Sequence, residues 1–266
     1  MVFYSFNIKD IFSPVLLLIL LYASGIAFAQ KRMASPIPAE CGQAVLVLTD
    51  SVSATKGFLI FFEREDGDNS WKQSTKKWPV VLGKNGLGWG QGFHNNDTSK
   101  LPVKVERDGR SPAGVFSLGA GFGYAPPAKM KGLKIPYIPI TEMLECIDDS
   151  NSKFYNKIIL RNKADTIDWS SSEKMNHVGI WYDLGVIVNH NTESYIKGYG
   201  SCIFLHNWAA PDETSSGCTE MDPENMKELI YKLNSDKYPV LIQLTKQLYE
   251  FYKKEWELPD LILNIP

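Results

Sequence analysis

Two residues in this chain have the types and spacing for covalent catalysis. Cys218 closes the run Ser215-Ser216-Gly217-Cys218, and His206 closes the largely apolar run 201–206, twelve residues earlier. A free thiol, with a pKa near ~8.5, is only a few per cent ionised at neutral pH, so a cysteine nucleophile needs an imidazole or a helix end beside it. Cys218 is the candidate nucleophile and His206 the candidate general base. Gly217 lets the backbone approach a substrate carbonyl without a Cβ, which makes the Gly217 and Cys218 amides candidate oxyanion donors. The intervening 207–214, Asn-Trp-Ala-Ala-Pro-Asp-Glu-Thr, is polar enough for a surface loop beside a cleft and has the length to fold back.

Such a pair needs rigid elements on both sides. Residues 201–206 read as a strand, with Cys202, Phe204 and His206 on one face and Ile203 and Leu205 on the other. After Cys218 a helix is expected: Asp222 is a good N-cap, Pro223 suits the first turn, and Met226, Leu229, Ile230 and Leu233 repeat at helical spacing. Further strands are expected at 44–50 and 57–64, a hairpin through the polar 51–56, and at 78–82, 184–190 and 239–244; 245–257 reads as a terminal helix. Together these predict a mainly β fold with flanking helices (α+β). The Gly-rich stretches 83–93 and 119–123 lack the spacing of a dinucleotide loop and the Gly-Lys-Ser/Thr of a phosphate loop. They read as turn glycines and points of close backbone approach. Residues 126–156, with Pro126, Pro127, Pro136 and Pro139, read as loop, and Asp148 and Asp149 as turn formers before 150–156.

Residues 1–29 read as a secretory signal peptide: Lys9, an apolar run 11–22, and Ala27-Phe28-Ala29 before Gln30. Pro14 interrupts the run, which is shorter than the ~20 residues of a spanning helix, so no membrane span is expected after cleavage. The expected location is exported, periplasmic or cell-envelope. Residues 30–40 read as a linker, with the fold beginning near Cys41. A net charge of −2 without a basic run argues against nucleic acid as a partner. Export permits disulfides among Cys41, Cys146, Cys202 and Cys218. If Cys218 stays free at most one bridge remains; Cys146–Cys202 is the preferred pair, with three buried thiols as the open alternative. His94 and His190 are candidates for the cleft wall or hydrogen-bonded structural histidines, and Arg110 is a candidate carboxylate clamp or a turn residue. No short His or Cys spacing suggests a metal site, and no metal or organic cofactor is expected.

At His206 and Ser215-Ser216-Gly217-Cys218 the chain resembles the L,D-transpeptidase (YkuD-type) catalytic domain, bacterial enzymes that remodel peptidoglycan, whose members carry a His, a loop and then Ser/Thr-His-Gly-Cys. The stretch Gly109-Arg-Ser-Pro-Ala-Gly-Val-Phe116 is similar to the family's Thr-Pro-x-Gly-x-Phe element. Gly88-Trp-Gly90, Cys146-Ile-Asp-Asp149, Asn189-His-Asn191 and Gly200-Ser-Cys-Ile-Phe-Leu-His206 resemble a divergent branch of the same family. The resemblance spans most of 41–257 and implies a catalytic domain there, of β-sandwich form, followed by a tail at 258–266.

It also implies acyl transfer on peptidoglycan stem peptides: Cys218 attacks the carbonyl of the third residue, normally a diamino acid, and expels the terminal D-amino acid. His206 takes the thiol proton and an amine is the acceptor. Water as acceptor would make an L,D-carboxypeptidase; a cysteine peptidase and a wall-binding module without turnover are the other readings. The acceptor and the oligomeric state stay open. Ser216 stands where the family has His, so any substrate contact of that His does not transfer. Ser216, Arg110, His94 and His190 remain candidate substrate contacts. Thr219-Glu220 replaces an apolar residue and Asn or Arg, and the family's third group behind the base is usually a backbone carbonyl.

Overall fold

In the computed structural model, residues 35–65, 70–94 and 100–261 are described; the leader read at 1–29 lies outside them. β1 (Gln43–Thr49) is buried along its whole length, as expected of a strand covered on both faces. It pairs antiparallel with β2 (Lys56–Glu63), forming the hairpin read from the sequence. Six further strands complete the closed path of the main sheet, β3 (Trp78–Val81), β4 (Ser111–Gly123), β5 (Gly185–Val188), β6 (Phe204–Asn207), β7 (Thr219–Met221) and β8 (Val240–Thr245), and the short strands Lys72–Gln73, Leu87–Trp89 and Tyr137–Pro139 pair onto it. Hydrogen bonding runs β1–β8–β4–β5–β6–β7–β3–β2 and returns to β1. Where two packed sheets were expected, eight strands thus close into one barrel-like sheet, which leaves none of the eight as an open edge. Among the described residues the fold is mainly β with two α-helices, α1 (Pro223–Lys232) and α2 (Lys246–Tyr252).

β4 corrects the sequence reading most. Gly119, Gly121 and Gly123 lie inside this 13-residue strand and not in a turn. Their bareness serves packing: a Cβ on Gly121 would sit 2.6 Å from Cδ1 of Ile230 on α1, and one on Gly123 would sit 2.3 Å from the Asp183 carbonyl. The Asp222 carboxylate caps α1 by accepting from the Glu224 and Asn225 amides, and Met226, Leu229, Ile230 and Leu233 are buried.

Residues 35–40, ahead of the expected start at Cys41, already pack on the domain. Ile37 is part of the core, Ser35 Oγ donates to the Trp256 carbonyl at 2.7 Å, and Arg64 donates to the carbonyls of Cys41 and Pro38. At the other end Leu258 is buried and the Tyr249 hydroxyl donates to the Pro259 carbonyl, so 258–261 docks too.

Residues 126–156 are expected to be loop, but Leu144–Cys146 within them forms a small sheet with Ile158–Leu160 and Glu173–Lys174. A disulfide, Cys146–Cys202, ties it to the residue two before β6. It shares with β6 a second apolar cluster of Phe122, Leu144, Cys146, Met175, Tyr182, Cys202 and Phe204, separate from the main core that holds Ile203 and Leu205. The expected alternation of residues 202–206 is therefore observed. No helix among the described residues is long and apolar enough to cross a membrane.

Candidate active site

β6 and β7 run parallel, in a register that pairs Leu205 with Thr219, His206 with Glu220 and Asn207 with Met221. Cys218 enters this ladder one residue before Thr219, and the Phe204 N–H points at its Sγ from 3.4 Å. At a strand spacing of ~4.8 Å and a two-residue rise of ~6.6 Å, Cys218 and His206 are diagonal neighbours, roughly 8 Å apart at Cα. The helix begins at Pro223 behind its Asp222 cap, as read from the sequence, five residues after Cys218. Thr219 and Met221 are buried strand residues, so the N-terminus of α1 does not face the thiol.

Hydroxyls on both sides fix the Gly-Cys turn. Ser111 Oγ donates to the Cys218 carbonyl at 2.9 Å and accepts from the Gly83 amide, while Ser215 Oγ also donates to the Cys218 carbonyl and accepts from the Gly217 amide at 3.0 Å. Gly217 has φ +153°, and a Cβ there would stand 3.0 Å from the Arg110 carbonyl, so only glycine suits the position. With its N–H on Ser215, Gly217 is not the oxyanion donor expected of it. The Cys218 N–H, one residue on, carries no hydrogen bond among the described residues.

Cys218, His206, Gly217, Ser216 and Glu220 line one cleft of about 300 Å³, closed on its other side by Trp181, Tyr182, Glu173 and Asp148. His206 is 4% exposed; its Nδ1 lies 2.8 Å from the Asn207 carbonyl, and the Tyr182 ring meets it edge-on at 5.1 Å. A carbonyl at Nδ1 requires that nitrogen to carry the proton, which leaves the lone pair on Nε2. Burial pulls His206 down to about 4, against the carbonyls of Asn207 and Trp181. Burial pushes the Cys218 thiol well up; Glu173 and Glu220 add to the rise and the Phe204 amide opposes it. The thiol donates to the Cys202 carbonyl at 3.6 Å, so at rest its proton is held within the cleft.

The other expected contacts fall elsewhere. His94 is buried between Trp89 and Phe116; its Nδ1 accepts from the Val115 amide at 3.0 Å and its Nε2 lies 3.0 Å from the Gly90 carbonyl. Its ring lies where a Cβ on Gly114, φ +137°, would be. His190 is held the same way, between the Gln91 amide and the Tyr199 carbonyl, and burial lowers it to about 3. The Arg110 guanidinium donates to the Asn85 and Leu87 carbonyls, stapling the turn after β3. None of the three lines the cleft, whereas Ser216 stands exposed on its lip. Glu173 and Tyr182 escaped the sequence reading: they meet only through tertiary packing, the Tyr182 hydroxyl donating to the Glu173 carboxylate.

Residues 52–242, which include Cys218, His206 and both flanking strands, match the YkuD family, described as the L,D-transpeptidase catalytic domain. The chain belongs to the YkuD family. No curated protein matches it. Among solved structures, the YkuD chain is similar to the helical cell shape determining protein Pgp2 from Campylobacter jejuni, at 13% identity and a TM-score of 0.35. That similarity covers 76% of this chain and 48% of the other, about half of its length.

In this YkuD domain Glu173 gives a stability test. Burial raises its carboxyl from 4.5 to about 7, with Asp148 adding and the Tyr182 hydroxyl opposing. A folded-state pKa above the unfolded one gives stability that is whole below the unfolded value and lost as pH rises through the folded one. The ionised side chain should therefore destabilise the fold above pH 7, by on the order of 2 kcal/mol once solvent screening is allowed for. Glu173→Gln keeps an acceptor for Tyr182 and is expected to raise the thermal midpoint by about 5 °C at pH 8, with little change at pH 5. Equal shifts at both pH values in a melting series would show that Glu173 titrates normally.

Proposed function

We infer that residues 41–257 form a cysteine acyltransferase domain acting on peptidoglycan stem peptides, exported to the cell envelope by the leader at 1–29. The observation that carries this is the parallel β6–β7 register, which sets a free cysteine and a buried neutral histidine in one cleft of a YkuD domain.

Cys218 Sγ attacks the carbonyl of the third stem residue as its proton passes to His206 Nε2. The C–S bond forms, the C–N bond to the terminal D-amino acid breaks, and the proton on Nε2 leaves with the departing amine. The charge that develops on the carbonyl oxygen is met by the Cys218 N–H, with Gly217 holding the turn open. An acceptor amine then gives a proton to Nε2 and displaces Sγ from the thioester. A thiol this strongly pushed towards its neutral form stays protonated until substrate displaces water and the base engages it. That protects an exported nucleophile from oxidation, because the reactive species is the thiolate.

Incubation with a tetrapeptide stem is expected to add the tripeptide acyl mass to Cys218, and Cys218→Ala to abolish the adduct, as read by intact-protein mass spectrometry. Product analysis with and without an added amine then separates transpeptidation from L,D-carboxypeptidation. Binding of the stem with no adduct would leave a wall-binding module and end the enzymatic assignment.

A further inference from the structure

Glu220 lies opposite His206 in the parallel ladder, with its Oε1 3.8 Å from His206 Nε2 and both side chains nearly excluded from solvent. We propose that Glu220 is a positioning residue for His206, its carboxylate facing Nε2 and holding the charge of the imidazolium that forms when the Cys218 thiol gives up its proton. The proposal rests on His206 being the base. It follows from where the ring can exchange a proton: Nδ1 is committed to the Asn207 carbonyl, so Nε2 is the working atom. A buried imidazolium is costly without a counter-charge. The ring's other polar neighbours, the Asn207 and Trp181 carbonyls, are acceptors that favour the charged form without neutralising it.

The protons balance. Thiol, neutral imidazole and Glu220 carboxylate become thiolate, imidazolium and the same carboxylate; Glu220 neither gains nor loses a proton during acylation. A protonated Glu220 would instead donate to the Nε2 lone pair and block the base. Burial raises Glu220 from 4.5 to about 7, with Glu213 from the loop adding. The other titratable and charged groups around it are Cys218 just before its strand, Tyr182 beside the ring, and Glu173, Asp148, Glu106, Lys104 and Arg107, which line the same cleft.

The test measures acylation by a tetrapeptide stem from about pH 5 to about pH 9. The wild-type rate is expected to rise through the Glu220 value of about 7. Glu220→Gln should lose that limb and lower the plateau about 100-fold, near the low end of what a positioned acid–base group contributes, and Glu220→Asp should restore part of both. A second measurement needs no substrate. The NMR signal of the His206 ring, one of four histidines, should show an inflection near that pH in the wild type and lose it in Glu220→Gln. A Glu220→Gln variant with an unchanged limb and an unchanged His206 titration overturns the proposal. If the wild type forms no adduct yet keeps the inflection, the acyl-transfer reading fails and the coupling of Glu220 to His206 stands.

Discussion

His206→Asn is expected to slow acylation of Cys218 by about 10³-fold at neutral pH, within the range a positioned general base contributes. Asparagine is chosen because its amide can still donate to the Asn207 carbonyl, where Nδ1 sits at 2.8 Å, while nothing replaces Nε2. The variant thus removes the proton acceptor with the smallest disturbance to the packing against Tyr182. The pH profile distinguishes this from a simple packing defect. Burial, Glu173 and Glu220 all hold the thiol in its neutral form, so without the base only solvent hydroxide can generate thiolate. The variant's rate should still climb about tenfold per pH unit above about pH 8, where the wild type has levelled. A variant that stays within tenfold of wild type, with the same profile, would remove His206 from the base role and leave the activation of Cys218 to another group.

Much of this site is legible in the sequence because it depends on short periodicities. A period of two along 202–206 places Phe204 and His206 together, and the caps and apolar spacing of α1 mark where β7 must end. What escapes the sequence depends on distant partners. β1 and β8 pair through residues nearly two hundred positions apart, so the closure of the sheet leaves no local trace. Gly121 and Gly123 look like turn residues until Ile230 and Asp183 are seen against them. His94 and His190 have the chemistry of cleft residues, but the bare Cα of Gly114 and the backbone groups around each ring draw them into structural positions. Glu220 lies in a three-residue strand, too short for any period to reveal that it shares a face with His206. Gly217 was legible as a conformational necessity and not as a donor, because its amide is claimed by the Ser215 hydroxyl two residues earlier.

Removing the Cys146–Cys202 bridge should affect both stability and catalysis, and the two effects can be separated. The bridge joins residues 56 apart, and closing a loop of that size in the unfolded chain is worth about 4 kcal/mol in the chain-entropy account. A Cys146→Ser/Cys202→Ser double variant is therefore expected to melt about 10 °C lower, and wild-type protein in reductant to approach the same midpoint. Catalysis should suffer well below that midpoint. Cys202 holds a left-handed φ of +55°, a conformation a non-glycine residue keeps only under restraint, and its carbonyl accepts the Cys218 thiol proton. The bridge also fastens to β6 the small sheet that carries Glu173, and with it the cleft wall facing the nucleophile. Without the bridge, residue 202 keeps its N–H to Asn156 Oδ1 at 2.9 Å and its carbonyl's contact with the Cys218 thiol. Loss of the bridge should thus lower acylation about tenfold at temperatures where circular dichroism still reports a native fold, and reductant should slow the wild type but leave the double variant unchanged. If the double variant melts lower yet acylates at the wild-type rate, the bridge serves stability alone. The Phe204 amide and the Ser111 and Ser215 hydroxyls would then be sufficient to hold Cys218 in place.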